Sequence, residues 1–191
     1  ATAEERDRVL PNVVTYTTVL DCWAKSNRHD APLRAQAILQ QMNEQVAGDD
    51  NDADNNNNNS VTPNTLSYNA VLNAWARSGR PEAVERVEEL WQEMQARQIP
   101  ADAVTYMTRI NVWERHRGPD RLPRTAARRA AQDLHEMIEQ SHIPPTTLHF
   151  NRVILAWTQC GDALRAEALL EVMISHWLRG GIGNSANSFA T

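Results

Sequence analysis

The sequence predicts an all-α fold made of four repeated helix–turn–helix hairpins. Three tyrosines and one phenylalanine form a series along the 191-residue chain, and a tryptophan stands seven residues after each of them. These pairs are Tyr16 and Trp23, Tyr68 and Trp75, Tyr106 and Trp113, and Phe150 and Trp157. An aromatic register repeated in this way indicates internal repeats, in which each unit packs against its neighbours.

Other residues keep the same register around each aromatic pair. Before each aromatic residue stands a proline, and these are Pro11, Pro63, Pro100 and Pro145. Just after each tryptophan comes a residue that tolerates the left-handed backbone at the end of a helix, and these are Asn27, Gly79, Gly118 and Gly161. A second apolar run then closes at a methionine, and these are Met42, Met94, Met137 and Met173. Each unit is therefore predicted to be a helix, a tight turn and a second helix.

These signals set the boundaries of the predicted helices. The first helices of the units are expected at 13–26, 65–77, 103–116 and 147–159, and the second at 31–46, 81–98, 124–140 and 163–178. Residues seven apart on a helix lie on one face, so each aromatic pair belongs to an apolar stripe. The stripe also includes Val19, Leu20, Val71, Leu72, Ile110, Val153 and Ile154, and in the last helix Leu169 and Leu170. We expect stacked neighbours to bury these residues.

The repeats divide the chain into six segments. Residues 1–12 are expected to end a preceding repeat or a linker, and 179–191 to form a flexible tail. The four repeats between them are predicted at 13–64, 65–102, 103–146 and 147–178. The first repeat contains an Asp- and Asn-rich insertion near 47–62, which is expected to be disordered because such a tract cannot form a core. The insertion lacks the glycine and terminal glutamate of a calcium loop, so no metal is expected there.

Composition limits the classes of function. The net charge of −5 opposes a polyanionic partner, but the aspartates at 49–54 account for most of it. Eighteen of the nineteen basic residues are arginines, which stack on planar groups and bind phosphates, although codon composition explains this bias equally well. No run of eighteen apolar residues exists to span a membrane. Cys22 and Cys160 are expected to be buried thiols of a reducing compartment.

No catalytic or metal site is predicted within this chain. Nucleophile motifs, glycine-rich phosphate loops and paired carboxylates are absent from the sequence. His135, His142 and His149 are spaced by seven, but the prolines at 144 and 145 break the helix between them. We therefore predict a protein that is not an enzyme, with no cofactor, no metal and no small-molecule substrate. An enzyme whose catalytic domain lies outside this chain remains a third hypothesis.

The aligned segments resemble the pentatricopeptide repeat family over residues 11–178. The matching strings are VVTYTTVLDCWAKSN, TLSYNAVLNAWARSG, AVTYMTRINVWERHRG and TLHFNRVILAWTQCG. Tetratricopeptide repeats have the opposite order, with their tryptophan early in the unit and their tyrosine later. The spacings of 52, 38 and 44 residues between equivalent positions exceed the usual length of the family's repeat. The resemblance implies a right-handed superhelical solenoid whose concave face is lined by the first helices.

The resemblance also implies binding of single-stranded RNA, with one base for each repeat. Two positions would contact the base, the residue after the series aromatic and the last residue of the unit. The base-reading candidates are Thr17, Asn64, Asn69, Asp102 and Asn151. Thr17 with Asn64 implies adenine, Asn69 with Asp102 implies uracil, and Asn151 alone implies a pyrimidine. Met107 with Thr146 gives no legible pattern. The alternative is that these polar residues only cap the helices or face the solvent.

Two further sets of residues would complete an RNA site of this kind. The base-flanking candidates, two residues before each series aromatic, are Val14, Leu66, Val104 and Leu148. The phosphate-contacting candidates, two residues after a tryptophan, are Lys25, Arg77 and Arg115. A basic residue at this position also complements a helix dipole, and that interpretation stays equally open. The cluster at 121–129 is a second phosphate candidate.

The resemblance favours an RNA-binding adaptor in organellar RNA processing, stability or translation. It places the protein in a mitochondrion or plastid, with a transit peptide outside this chain. The alternative is a scaffold for protein–protein interaction built on the groove of the helical repeats, which the acidic balance and the illegible third unit favour. Single-stranded RNA is thus the expected partner, other proteins are the alternative, and no membrane is expected.

Overall fold

The computed structural model describes residues 11–26, 28–48, 61–115, 123–139 and 143–178. Within these ranges the chain forms eight α-helices and no strand. They are α1 (Val13–Lys25), α2 (Ala31–Gly48), α3 (Thr65–Arg77), α4 (Ala83–Ala96), α5 (Ala103–Arg115), α6 (Pro123–Glu139), α7 (Thr147–Gln159) and α8 (Ala163–Leu178). The prediction of an all-α repeat fold is confirmed, and no predicted boundary differs by more than two residues. The hand of the superhelix stays a prediction.

The helices form two compact units. Unit 1 comprises Ala1–Arg80 and Arg86–Pro100, and unit 2 comprises Pro81–Glu85 and Ala101–Thr191. In unit 1, α1 packs on α2 and α3, and α2 packs on α3. In unit 2, α5 packs on α6 and α7, α6 packs on α7, and α7 packs on α8. In both units a first helix therefore contacts its own second helix and the first helix of the next repeat, as expected of stacked hairpins.

The aromatic and methionine register forms most of the core. In unit 1 the fully buried side chains include Tyr68, Trp75, Leu72, Met42 and Met94. In unit 2 the cluster of buried residues includes Ile110, Leu134, Phe150, Val153 and Trp157. Each such side chain contributes roughly 1.5–3 kcal/mol through its removal from water. Packing between hairpins therefore stabilises helices that would be marginal alone.

The structure corrects the predicted burial at three positions. Val19 on α1 is 42% exposed and Leu170 on α8 is 47% exposed. Both helices lie at the edge of the described stacks, where α1 contacts only α2 and α3 and α8 contacts only α7. Cys22, also on α1, is exposed, so the prediction that it is a buried thiol was wrong. Cys160 is half-buried.

Two of the predicted helix-ending glycines have the left-handed backbone. Gly79 after α3 has φ of 65°, and Gly161 after α7 has φ of 67°. The same conformation recurs at Gln98 after α4, with φ of 57°, and there the amide of Ile99 donates to the carbonyl of Met94 at 3.0 Å. A left-handed residue followed by this bond is a common way to end a helix. Asn27 and Gly118 lie outside the described residues.

Several predictions fall on segments that the structure does not describe. These are the segment before residue 11, the centre of the Asp- and Asn-rich insertion at 49–60, and the tail at 179–191. The division into repeats at 64, 102 and 146 also stays a prediction. Among the described residues, no helix is both long and apolar enough to cross a bilayer.

Candidate nucleic-acid interface

The last residue of each repeat is the N-cap of the first helix that follows. The Oδ1 atom of Asn64 accepts from the amide of Ser67 at 3.0 Å, and the Oδ1 atom of Asp102 accepts from the amide of Thr105 at 2.9 Å. Asn12 caps α1 in the same way, with Thr15 as its partner. These bonds satisfy amides that have no partner inside the helix. The capping role that sequence analysis left open is therefore present at Asn64 and Asp102, alongside any contact with a base.

Beside the N-cap of α3, three side chains meet at one hydroxyl group. The Oγ atom of Ser67 lies 3.2 Å from Oδ1 of Asn64 and 3.2 Å from Oγ1 of Thr17. Thr17 and Asn64 are the two candidates predicted to contact the base of the first repeat, so the structure brings this pair together. Ser67 is fully buried, whereas Thr17 is half-buried and Asn64 is exposed. Sequence analysis missed Ser67, although its place one residue before the aromatic repeats in Thr15 and Thr105.

The other base-reading candidates differ in exposure. Asn69 is only 7% exposed, Met107 is half-buried and Asn151 is exposed. Asn69 already makes polar interactions within the protein. Asn151 is therefore open to contact with a base, whereas only a small part of Asn69 is accessible. The assignment of these residues stays a prediction.

The four base-flanking candidates share an unusual environment. The exposed fractions are 66% for Val14, 61% for Leu66, 57% for Val104 and 52% for Leu148. Each residue is the second of a first helix, two positions after the residue that precedes the helix. A single exposed apolar side chain needs no explanation, because much of any protein surface is apolar. Four exposed apolar side chains recur here at one register position, and their contact with a base stays a prediction.

The candidate phosphate contacts are exposed, but they are not equivalent. Lys25 pairs with Asp21 at 2.6 Å, which offsets its charge. Arg77 and Arg115 are exposed and form no ion pair among the described residues. Both stand in the last turn of a first helix, where they also complement the helix dipole.

Several arginines of the third repeat are paired with carboxylates and add little free positive charge to the surface. Arg109 is buried, and it pairs with Asp133 at 2.9 Å and with Glu136 at 3.8 Å. Arg124 pairs with Asp162 at 2.9 Å. Of the cluster at 121–129, only Arg128 and Arg129 remain as exposed arginines for which the structure describes no ion pair, and Arg121 lies outside the described residues.

Charge is distributed unequally between the first and the second helices of the repeats. The four first helices contain five basic and two acidic residues, and the four second helices contain six basic and ten acidic residues. As a set, the first helices therefore have a formal excess of positive charge and the second helices a formal excess of negative charge, although Arg109 of the first set is buried and paired with Asp133 of α6. The negative total of the chain does not oppose an anion at the first helices, because local charge governs such contacts at distances of about 8–10 Å. Summing the charge over each predicted helix would have found this signal.

Polar side chains also enter the hydrophobic core at the series aromatics. The hydroxyl of Tyr68 donates to Glu93 at 3.1 Å, and that of Tyr106 donates to Glu136 at 3.3 Å. Burial and then the nearby charge of Glu93 raise the pKa of Tyr68 to about 12. His149 is 2% exposed, and desolvation lowers its pKa. No group of three potential ligands for a metal lies among the described residues.

Comparison with known proteins identifies one repeat of the chain directly. The family model of the PPR repeat matches residues 66–99, which contain most of α3 and all of α4. A comparison with curated protein sequences found no significant match. The chain is similar to the crystal structure of the pentatricopeptide repeat protein PPR10 from maize, with 22% identity and a TM-score of 0.43 over 96% of this chain. It spans 26% of that protein's length. The match at 66–99 shows that this part of the chain carries a PPR repeat.

Proposed function

We propose that this chain binds single-stranded RNA along its first helices and acts by binding, without catalysis. The observation that carries this proposal is the row of exposed apolar residues in one register, represented in the matched repeat by Leu66. Bases of a single strand are unstacked and offer flat apolar faces, which such side chains can cover. On the same helices, three residues after Val14, Leu66 and Leu148, stand the predicted base-reading residues Thr17, Asn69 and Asn151.

Electrostatics supports the same surface. The net positive charge of the first helices, with Arg77 and Arg115 exposed at their C-terminal ends, suits a phosphate backbone. Release of counterions from RNA makes such binding weaken steeply with salt. The resemblance extends the proposal to an adaptor in organellar RNA processing, stability or translation, in a mitochondrion or plastid. Imaging of the tagged full-length protein in its host cell tests the location.

A paired substitution on the whole chain tests the proposed surface. Leu66→Ser removes one exposed apolar side chain of the register, and Leu33→Ser removes a similar one, 48% exposed, from α2. We expect Leu66→Ser to weaken binding to a single-stranded RNA pool by about tenfold, since covering a leucine side chain contributes roughly 1.5–3 kcal/mol. Leu33→Ser should leave the affinity unchanged. Equal effects of the two substitutions, or binding that ignores salt, would reject the proposal.

A protein-binding scaffold is the second candidate, and the surface of α8 favours it. Leu164, Leu170, Ile174 and Trp177 are between 47% and 79% exposed, which is more apolar surface than a solvated helix usually presents. A scaffold predicts a complex that survives nuclease and high salt, whereas RNA binding predicts loss under both conditions.

A further inference from the structure

Two helices of this chain expose faces whose counterparts are buried elsewhere in the same chain. In unit 2, α6 packs on α7, and the core cluster there includes Ala127 and Leu134 of α6 together with Val153 and Ala156 of α7. All four residues are at most 5% exposed. This α6–α7 junction is the place where the second helix of one repeat meets the first helix of the next, so it shows what each kind of helix contributes to stacking.

Helix α8 has the same second-helix face, but no first helix covers it in the part of the chain that the structure describes. Counted from the methionine that closes each unit, Leu170 of α8 corresponds to Leu134, and Ala163 corresponds to Ala127. Leu170 is 47% exposed, and Ala163 is exposed as well. We call this surface the α8 face.

Helix α1 has the opposite half of such a junction. Counted from the series aromatic, Val19 of α1 corresponds to Val153, and Cys22 corresponds to Ala156. Val19 is 42% exposed, and Cys22 is exposed as well. The two residues are three positions apart on a helix, so they share one surface, which we call the α1 face. The chain therefore exposes both kinds of face that pack on each other at the α6–α7 junction.

Polar groups on the two faces are complementary as well. Between the first and second repeats, Nε1 of Trp75 donates to Oε1 of Gln36 at 3.0 Å. On α8 the position of Gln36 is held by Glu167, which is exposed. On α1 the position of Trp75 is held by Trp23, and Arg28 lies over its ring, 5.9 Å from the centroid. A carboxylate of the α8 face thus corresponds to an indole N–H group and a neighbouring guanidinium of the α1 face, which is a charge-assisted combination.

We propose that copies of this chain associate head to tail, with the α8 face of one copy packed on the α1 face of another. The occupant is a second copy because the chain itself supplies the matching face, in its apolar residues and in its charge. Burial of Leu170 against Val19 stabilises the contact, and Glu167 sets its register. Each copy uses two different surfaces, so the contact is heterologous and can recur from copy to copy. This association does not depend on the proposed binding of RNA.

Sedimentation velocity of the whole chain, from micromolar to near-millimolar concentration, tests the association. The protein is treated with nuclease first, because one RNA strand could bridge two copies. We expect the weight-average sedimentation coefficient to rise with concentration. Val19→Asp and Leu170→Asp should each weaken the association by about 100-fold, because each would bury a carboxylate without a partner. Circular dichroism checks that both variants keep their helices.

An equimolar mixture of these two variants gives the sharpest result. Val19→Asp keeps the α8 face intact and Leu170→Asp keeps the α1 face intact, so one junction can form between them. We expect the mixture to form a pair of unlike copies and nothing larger, while each variant alone stays monomeric at the same concentration. A symmetric contact between two α8 helices instead predicts that Val19→Asp associates as the unaltered chain does, and that result overturns the proposal.

Three further variants serve as controls. Leu33→Asp changes a leucine of α2 that is 48% exposed, at a position whose counterparts on α4, α6 and α8 are also exposed. It should leave the association unchanged. Glu167→Gln introduces the residue type of Gln36 and should retain the association. Glu167→Lys places a cation opposite Arg28 and should weaken the association by about tenfold.

The other outcomes also decide the matter. A chain that stays monomeric at every concentration overturns the proposal and means that another occupant, such as a different protein, covers the α8 face. An equal loss of association in Leu33→Asp overturns it as well, because the effect would then come from added charge in general. Both results leave RNA binding by the first helices standing. Association that persists in a chain with no affinity for RNA overturns only the proposed function.

Discussion

The second and third repeats have the same register but different interiors. In the second repeat, Val71 and Leu90 are both buried, three residues after the aromatic and four before the methionine. In the third repeat, those two positions hold Arg109 and Asp133, which are equally buried and joined at 2.9 Å. In these two repeats the same register positions are therefore buried. The register does not determine their chemistry, because a charged pair can replace an apolar pair when both partners change together.

The largest expected effect comes from breaking the charged pair in the third repeat. Asp133→Leu removes the carboxylate that lies 2.9 Å from the buried Arg109, and should lower the free energy of unfolding by about 3–5 kcal/mol. Arg109→Met combined with Asp133→Leu gives the third repeat an apolar pair like that of the second repeat. This double variant should lose less than about 1 kcal/mol of the free energy of unfolding. Denaturant unfolding of the single and double variants measures both values.

An exposed arginine on α6, the helix of Asp133, serves as the control for these variants. Arg128→Met on α6 should change the free energy of unfolding by less than about 0.5 kcal/mol. If the double variant loses as much stability as the sum of its two single variants, the charges are not coupled. In that case the comparison of the two interiors fails.

A smaller effect on stability is expected at Tyr68 of the second repeat. The fourth repeat, which has a phenylalanine at this position, offers the comparison. Tyr68 donates to Glu93, whereas Phe150 and Val172 at the equivalent positions lack both the hydroxyl and the carboxylate. Because the pKa of Tyr68 is raised to about 12 from 10, its neutral form stabilises the folded state. This contribution is complete below pH 10 and is lost as the pH rises from 10 towards 12.

Tyr68→Phe tests this pH dependence. The variant should lose about 1.5 kcal/mol at neutral pH, because a hydrogen bond to a charged acceptor is removed. It should also have a weaker decrease in stability between pH 10 and 12 than the unaltered chain, measured by urea unfolding at each pH. A decrease of the same size in both proteins would assign the alkaline transition to another group.

The smallest effect is expected at the turns that end α3 and α4. Gly79 and Gln98 both have positive φ, but only the glycine avoids a steric cost there. Gln98→Gly should raise the free energy of unfolding by about 1 kcal/mol, and Gly79→Ala should lower it by a similar amount. A higher thermal unfolding temperature for Gln98→Gly and a lower one for Gly79→Ala would support this difference between the two turns. A loss of stability in both variants would mean that the side chain of Gln98 makes contacts that outweigh its strain.

The sequence was sufficient to predict the helices and much of the core. Helix boundaries depend on caps, glycines and apolar spacing, which are properties of neighbouring residues. The positions of the exposed apolar residues could be predicted in the same way, since Leu66 and its equivalents stand two residues before each series aromatic. Spacing also predicted the burial of Trp75, which is fully buried.

What the tertiary structure decided was the partner of each polar side chain. Nothing in the local sequence indicated that Ser67 would contact Thr17, fifty positions away, or that Arg109 would be buried against Asp133. The same is true of Val19, whose exposure depends on which helices cover α1. Hydrogen bonds and ion pairs act within about 3–4 Å, so they depend on contacts between helices that are distant in sequence. The sequence by itself therefore determined the repeat and its periodic surface, and the packing of the hairpins determined which polar groups that surface can offer.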